Sequence, residues 1–168
     1  MYTETILIVD DDENILKSIK RSLMDDNYNI LTATSGQEGM ALLKKQNVSL
    51  VISDQKMPGM TGLEFLEKVK INYPEILTIM LTAHADIEIT IKAINEAGIY
   101  KFILKPWDQA NLRITIKRAI ETRQLIIERD SLLQKVKTHE ATLRDLEKKH
   151  PGITKIERNE DGYVLSLD

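Results

Sequence analysis

Residues Thr5–Asp12 read Thr-Ile-Leu-Ile-Val-Asp-Asp-Asp, four consecutive aliphatic side chains running into three carboxylates. So short a run, apolar at every position and rich in β-branched residues, predicts a strand (Thr5–Asp10) buried on both faces, as in a parallel sheet. A helical stretch follows, with Ile15, Ile19, Leu23 and Met24 recurring at helical spacing. The same unit then repeats. Tyr28–Ala33 is a second strand, and Ser35 an N-cap with Glu38 completing a capping box before a helix through Met40, Leu43 and Lys44. Leu50–Ser53 is a third strand, followed by the turn Met57-Pro58-Gly59 and a helix from Leu63 to about Ile71. Ile76–Leu81 is a fourth strand and Asp86–Ala97 a helix, with Gly98 at its C′ position. Ile99–Leu104 is the fifth strand. Alternating strands and helices predict parallel pairing through right-handed crossovers, hence a three-layer α/β sandwich.

Beyond Pro106 the pattern changes. Residues 108–149 contain neither Gly nor Pro and predict one helix of unusual length. Leu112, Ile116, Ala119 and Ile120 would cover the sheet as a fifth helix. Leu125, Leu132, His139 and Leu146 then recur every seven residues, with Arg129, Val136 and Leu143 between them. That spacing suggests an imperfect coiled coil and a homodimer; the alternative is an amphipathic helix covered by a missing partner domain. Pro151-Gly152 ends the helix, and two β-rich runs around Asn159–Gly162 predict a terminal hairpin. The resulting organisation is 1–122 globular, 123–150 helical stalk and 151–168 hairpin.

Composition narrows the function. The 168 residues carry 23 basic and 26 acidic side chains and no cysteine, which removes disulfides, thiolate metal sites and cysteine nucleophiles. Residues 1–106 sum to −4 and residues 107–168 to +1, so neither part has the basic excess of a direct nucleic-acid binder. The longest aliphatic run is Ile6–Val9, too short to cross a bilayer, and no signal peptide is visible. The expectation is a soluble cytoplasmic protein that binds neither nucleic acid nor membrane.

Chemistry gathers where the strands end. Asp10, Asp11 and Asp12 follow the first strand, Asp54 the third, Thr82 the fourth and Lys105 the fifth. In an open parallel sheet those ends line one crevice. Crowded carboxylates repel one another unless a cation joins them, and an all-oxygen set suits a hard divalent ion such as Mg²⁺, with Mn²⁺ as a substitute. No His or Ser nucleophile–base pair is present. The set suits instead a carboxylate that attacks phosphorus, with metal and ammonium neutralising charge on the transferring group. Taken singly, these residues have plainer readings: the aspartates cap helices, and Met24, Met40 and Met80 fill the core. His84, His139 and His150 show no metal spacing, Trp107 is a packing anchor, and the alternating charges of 113–149 form a solvated face.

Together, Ile6–Asp12 (ILIVDDD), Val51–Gly62 (VISDQKMPGMTG), Met80–Ala83 (MLTA) and Phe102–Trp107 (FILKPW) resemble the receiver domain of bacterial two-component response regulators over about residues 4–122. The resemblance implies a flavodoxin-like (βα)5 doubly wound sheet with strand order 2-1-3-4-5. It implies that Asp54 is phosphorylated by a histidine kinase or phosphotransfer protein. Asp10 and Asp11 would bind Mg²⁺, Asp11 directly and Asp10 partly through water, with Asp54 and the backbone carbonyl of Lys56 completing the set. Asp12 stands at a further acidic position. Thr82 would swing toward the phosphoryl group, Lys105 would pair with it, and Pro106 would follow a cis bond. Phe102 holds the switch position usually occupied by Tyr, and Lys56 and His84 would tune the lifetime of the acyl phosphate. No further cofactor is implied, and no enzymatic activity beyond self-catalysed phosphorylation and dephosphorylation. The output would be a shift of the face built by the fourth helix, fifth strand and fifth helix, passed through the stalk to an unknown partner.

FILKPW, the preceding Ala93–Tyr100 (AINEAGIY) and the long helix are also similar to receivers that precede cyclic-di-GMP phosphodiesterases of the HD-domain type, although these 168 residues hold no His-Asp catalytic pair. The alternatives are a regulatory fragment of such an enzyme or of a transcription factor, and a dimeric scaffold that is never phosphorylated.

Overall fold

The computed structural model describes residues 4–83, 91 and 98–153. Its elements are β1 (Thr5–Val9), α1 (Glu13–Ser22), β2 (Asn29–Ala33), α2 (Gly36–Leu43), β3 (Leu50–Asp54), α3 (Gly62–Asn72), β4 (Leu77–Ala83), β5 (Lys101–Lys105) and α4 (Gln109–Lys149). Apart from residue 91, the helix expected over 86–97 lies outside the described residues, as does the hairpin beyond Ile153. Gly98 has φ +65°, the left-handed conformation expected of a C′ glycine.

All five strands are parallel in the order β2-β1-β3-β4-β5. The chain moves from β1 outward to β2, then reverses past β1 to β3, so right-handed crossovers put α1 on one face and α2 and α3 on the other. Strand alternation sends Leu7, Val9 and Val51 toward the second face. There they join one core cluster with Leu43, Phe65, Leu66 and Val69. Ile6, Ile8 and Ile52, equally buried, point to the face of α1, whose inward residues are Leu16 and Ile19. α4 lies on that same side: Arg113 makes a two-pronged ion pair with Asp26, just beyond α1, at 3.1 and 2.9 Å. It buries Leu112, Thr115, Ile116, Ala119 and Ile120.

Three local expectations change. Met24 is 76% exposed: α1 ends at Ser22, and the turn that tucks Leu23 inward sends the next side chain to solvent. Leu16, not Ile15, is the fully inward member of its turn, while Met80 is buried and Met40 packs at the core edge as expected. Ser35 does cap α2, but Glu38 reaches past it to the backbone N–H and hydroxyl of Thr34 at 2.7 and 3.0 Å, so no reciprocal box forms there. The reciprocal box stands at α3, where Thr61 and Glu64 satisfy each other's backbone N–H groups.

The chain divides into two compact units, Met1–Leu125 and Ile126–Asp168, and α4 contributes residues to both. Within the second unit the helix is exposed and laced by i,i+4 pairs, Lys149 with Asp145 at 2.8 Å and Arg144 with Glu140 at 4.0 Å. It closes where Gly152, at φ +94°, donates its N–H to the Glu147 carboxylate at 2.7 Å. No helix among the described residues is long and apolar enough to cross a membrane.

Candidate functional site

The carboxyl ends of β1, β3, β4 and β5 open on one edge of the sheet. Asp54 is the last residue of β3 and Lys105 the last of β5, while Thr82 lies one residue beyond the partner of Asp54 on β4. Asp10 is 1% and Asp54 7% exposed, so neither carboxylate can rely on bulk water for solvation. The protein supplies substitutes. Lys105 Nζ lies 2.7 Å from Asp54 Oδ1 and 3.1 Å from Asp10 Oδ2. The second oxygen of Asp54 accepts from the Lys56 N–H at 3.1 Å, and that of Asp10 from the Asp12 N–H at 2.9 Å.

Lys105 alone does not balance the described carboxylates. Asp11, exposed beside the two buried carboxylates, brings a third negative charge, and one oxygen from each of Asp10, Asp11 and Asp54 falls within 4.8 Å of the others. Burial raises the Asp10 pKa, and the Asp12 N–H and Lys105 only partly offset it; the Asp54 charge raises it further. For Lys105 burial acts to lower the pKa, but hydrogen bonding and charge from Asp54 and Asp10 outweigh it, leaving the ammonium firmly protonated. Three carboxylate oxygens with a net negative charge fit a hard divalent cation, which would relieve the repulsion that lifts Asp10.

The remaining expected residues sort differently. Asp12 stays outside this cluster and caps α1, accepting from Asn14 N–H at 2.8 Å. Thr82 is fully buried, its hydroxyl 3.4 Å from the Ala83 carbonyl oxygen. Phe102 is half-buried at the edge of the core cluster. Lys56 is exposed beside Asp54, and the Lys105–Pro106 bond is cis. Trp107 is half-buried and shares a shallow recess with Ile15, Ser18 and Pro106. His84 lies outside the described residues.

Two residues that position the site carried no assigned role in the sequence reading. Gly62 opens α3 directly under the end of β3, donating its N–H to the Gln55 carbonyl at 3.0 Å. A Cβ there would lie 1.9 Å from the Asp54 carbonyl oxygen, so only glycine lets α3 approach the strand that carries Asp54. The Thr61-Gly62-Leu63-Glu64 pattern held the signal, as a capping box. Gln55 is buried, and its Oε1 has no hydrogen-bond partner among the described residues; nothing in the sequence marked it.

Comparison with known proteins agrees with this geometry. Residues 6–117 match the family model described as response regulator receiver domain. The chain is 43% identical over 121 residues to the hydrogenase transcriptional regulatory protein HoxA of Cupriavidus necator, covering 72% of this chain and 25% of that protein. It is 33% identical over 133 residues to a cyclic di-GMP phosphodiesterase of Thermotoga maritima, covering 79% of this chain and 35% of that one. Among solved structures, the signal receiver domain of an HD domain-containing protein from Pseudomonas fluorescens superposes with a TM-score of 0.73 at 33% identity, covering 77% of this chain and 95% of that one. The chain spans between a quarter and a third of the length of the first curated relatives it matches. It belongs to the response regulator receiver family, in which phosphorylation on an aspartate is the shared property and an acidic pocket binds Mg²⁺.

Proposed function

With membership of the receiver family as the premise, we propose that Asp54 is the residue that accepts the phosphoryl group, donated by the phosphohistidine of a kinase or phosphotransfer protein. An oxygen of Asp54 attacks phosphorus, the acyl–phosphate bond forms, the nitrogen–phosphorus bond breaks and the imidazole leaves. One observation carries this assignment. Of the three clustered carboxylates, Asp54 ends the central strand β3 and is held at 2.7 Å by Lys105, where the ammonium can follow charge onto the new phosphoryl oxygens.

Asp10, Asp11, Asp54 and the Lys56 backbone carbonyl would hold Mg²⁺, or Mn²⁺ in its place, which when bound neutralises charge on the phosphoryl oxygens. Lys105 divides its contacts between Asp10 and Asp54 before transfer and follows the phosphoryl group afterwards. Thr82 supplies a hydroxyl from the neighbouring strand, and its movement frees space into which Phe102 turns. Phe102 lacks a hydroxyl to anchor the turned rotamer, so packing alone holds it. His84 and Lys56 set access of water to the acyl phosphate. The switch biases an equilibrium between two arrangements of β5 and its flanking helices.

The reading extends to organisation: a receiver over 1–122, a stalk over 123–150 that pairs with a second copy, and a terminal segment over 151–168. The stalk supports this because Leu125, Leu132, Val136 and Leu143 are each more than half exposed in the single chain. Output through a larger protein, a transcriptional regulator or a cyclic-di-GMP phosphodiesterase, is supported by the fraction of its relatives that the chain spans.

The test is intact mass after incubation with acetyl phosphate and Mg²⁺. One phosphoryl group should add to the wild type and none to Asp54→Asn. Folded, cation-binding wild type that stays unmodified, or an Asp54→Asn variant modified as fully as wild type, would remove the assignment.

A further inference from the structure

We infer that the open edge of β2 receives an extended acidic segment of a partner protein, added to the sheet as a strand beside α1. β2 is an outermost strand of the sheet and has no outer neighbour among the described residues. Asn29 donates its N–H to the Glu4 carbonyl oxygen at 2.9 Å, and the Ala33 carbonyl oxygen accepts from the Asp10 N–H at 3.2 Å. Those bonds turn the backbone of Asn29, Leu31 and Ala33 toward β1. The alternation of a parallel ladder therefore turns the N–H and C=O of Ile30 and Thr32 outward, a row of donors and acceptors set for another strand. Nothing in β2 itself blunts that edge: Asn29-Ile30-Leu31-Thr32-Ala33 carries neither charge nor proline.

Charge on the neighbouring helix selects the occupant. The side chains of Ile30 and Thr32 fall on the face of α1, and two shallow recesses run along them. Beside Ile30, a recess of about 570 Å³ is lined by Leu23, Met24 and Tyr28 and rimmed by Lys20 and Arg21. Beside Thr32, one of about 320 Å³ lies among Lys17, Lys20 and Glu38. Of the carboxylates lining the two, Glu13 pairs with Lys17 at 3.2 Å and Asp26 with Arg113 at 2.9 Å, while Glu38 accepts from Thr34. Lys20 and Arg21 have no ion pair among the described residues, so the charge left over along this edge is positive. A strand with carboxylates on the α1 side would meet it. An apolar side chain at the end of that strand would cover Met24, 76% exposed at the recess wall.

The same cations argue against a second copy of this chain as the occupant. An antiparallel pair formed through β2 would bring the Lys17, Lys20 and Arg21 of both copies onto one face, like charge against like. The helix that attracts an acidic strand thus repels this chain's own. The site is also separate from the phosphoryl pocket. α1 turns Ile15 and Ser18 toward the Trp107 recess and Lys17 and Lys20 toward β2, so the inference does not depend on Asp54 as acceptor.

The test titrates the full chain with a fluorescent synthetic peptide that alternates Glu with Val and ends in Phe. The expected result is saturable binding that weakens with salt, and slowed hydrogen exchange at the Ile30 and Thr32 N–H groups with Asn29 and Leu31 unchanged. Lys20→Gln combined with Arg21→Gln should raise the dissociation constant about tenfold, while circular dichroism and phosphoryl uptake from acetyl phosphate match wild type. N-methylating the peptide's amides removes its strand donors at constant charge and should abolish binding to the wild-type chain. No binding at up to ~1 mM peptide, equal binding of a peptide with Lys in place of Glu, or binding that leaves exchange at Ile30 and Thr32 unchanged would each overturn the inference. So would protection of those two N–H groups in the chain alone that grows with its concentration, because a second copy would then hold the edge.

Discussion

The two edges of the sheet treat carboxylates in opposite ways. At the carboxyl edge three aspartates crowd together, and among the described residues the Lys105 ammonium bridges two of them, Asp10 and Asp54. At the amino edge a single carboxylate, Glu4, is surrounded by partners. One oxygen accepts from Gln124 at 2.9 Å; the other accepts from Ser49 and lies 3.6 Å from Arg123. Arg123 also donates to the Glu75 carbonyl oxygen, and Thr122 and Tyr100 hydroxyls meet at 3.2 Å. Four strand beginnings thus converge on residues 122–124, the last turn of α4 within the first unit. The amino edge is compensated and fastens the helix. Among the described residues the carboxyl edge is undercompensated, the condition that a cation would relieve. Uneven compensation on one scaffold separates a structural polar cluster from a chemical one.

The sharpest way to break this contrast is to disturb the carboxyl edge from beneath. Gly62→Ala places a Cβ on the Asp54 carbonyl and should cost about 3 kcal/mol or more, read as a lower denaturant midpoint at unchanged m value. An effect under about 1 kcal/mol would mean that α3 retreats freely and does not brace the site. Next in size, Mg²⁺ at a hundredfold excess over its dissociation constant should stabilise the wild type by about 2.7 kcal/mol. Asp11→Asn should lose most of that gain while folding normally, since the Asp11 side chain is exposed. Equal gains in both proteins would assign the cation elsewhere.

At the other edge, Glu4→Gln keeps the shape but loses the charge facing Arg123 and one strong acceptor, and should cost about 1 kcal/mol. Hydrogen exchange should rise at residues 120–124 and stay unchanged at β3. Smallest, and opposite in sign at the two edges, is the response to acid. Burial acts to raise the Glu4 pKa, but Gln124, Ser49 and Arg123 outweigh it and hold it below 4.5. Its contribution is therefore complete above that value and fades as pH falls through the lowered one. Asp10 is held above 3.8, so it favours the fold increasingly as pH falls from its raised value toward 3.8. Stability measured from pH 6 to 3 should fall less steeply for Glu4→Gln than for wild type, and more steeply for Asp10→Asn. Matching slopes in all three would remove the distinction.

How much could be read in advance depended on the range of the forces involved. β1 and β3 were legible because burial on both faces demands the unbroken apolar runs Ile6–Val9 and Leu50–Ile52, a local and dense signal. The inward stripe of α1 was misassigned by one residue, Ile15 for Leu16, since periodicity alone leaves the stripe's phase open until a sheet face selects it. Two capping boxes fit the local pattern, yet only Thr61–Glu64 closed. At α2 the preceding residue, Thr34, offered Glu38 two donors together. Gly62 showed itself only once a strand end lay above it, because nothing in a sequence records how closely two backbones approach.

Periodicity, strand-end polarity and the break at Pro106 needed only the order of the residues, since each is a relation between near neighbours. Which charges share a pocket needed the folded sheet. Lys105 meets Asp10 across ninety-five positions because parallel pairing and right-handed crossovers gather the strands' carboxyl ends on one edge. The same packing drew the line between compensated and uncompensated carboxylates, by burying Asp10 beside a like charge while surrounding Glu4 with donors.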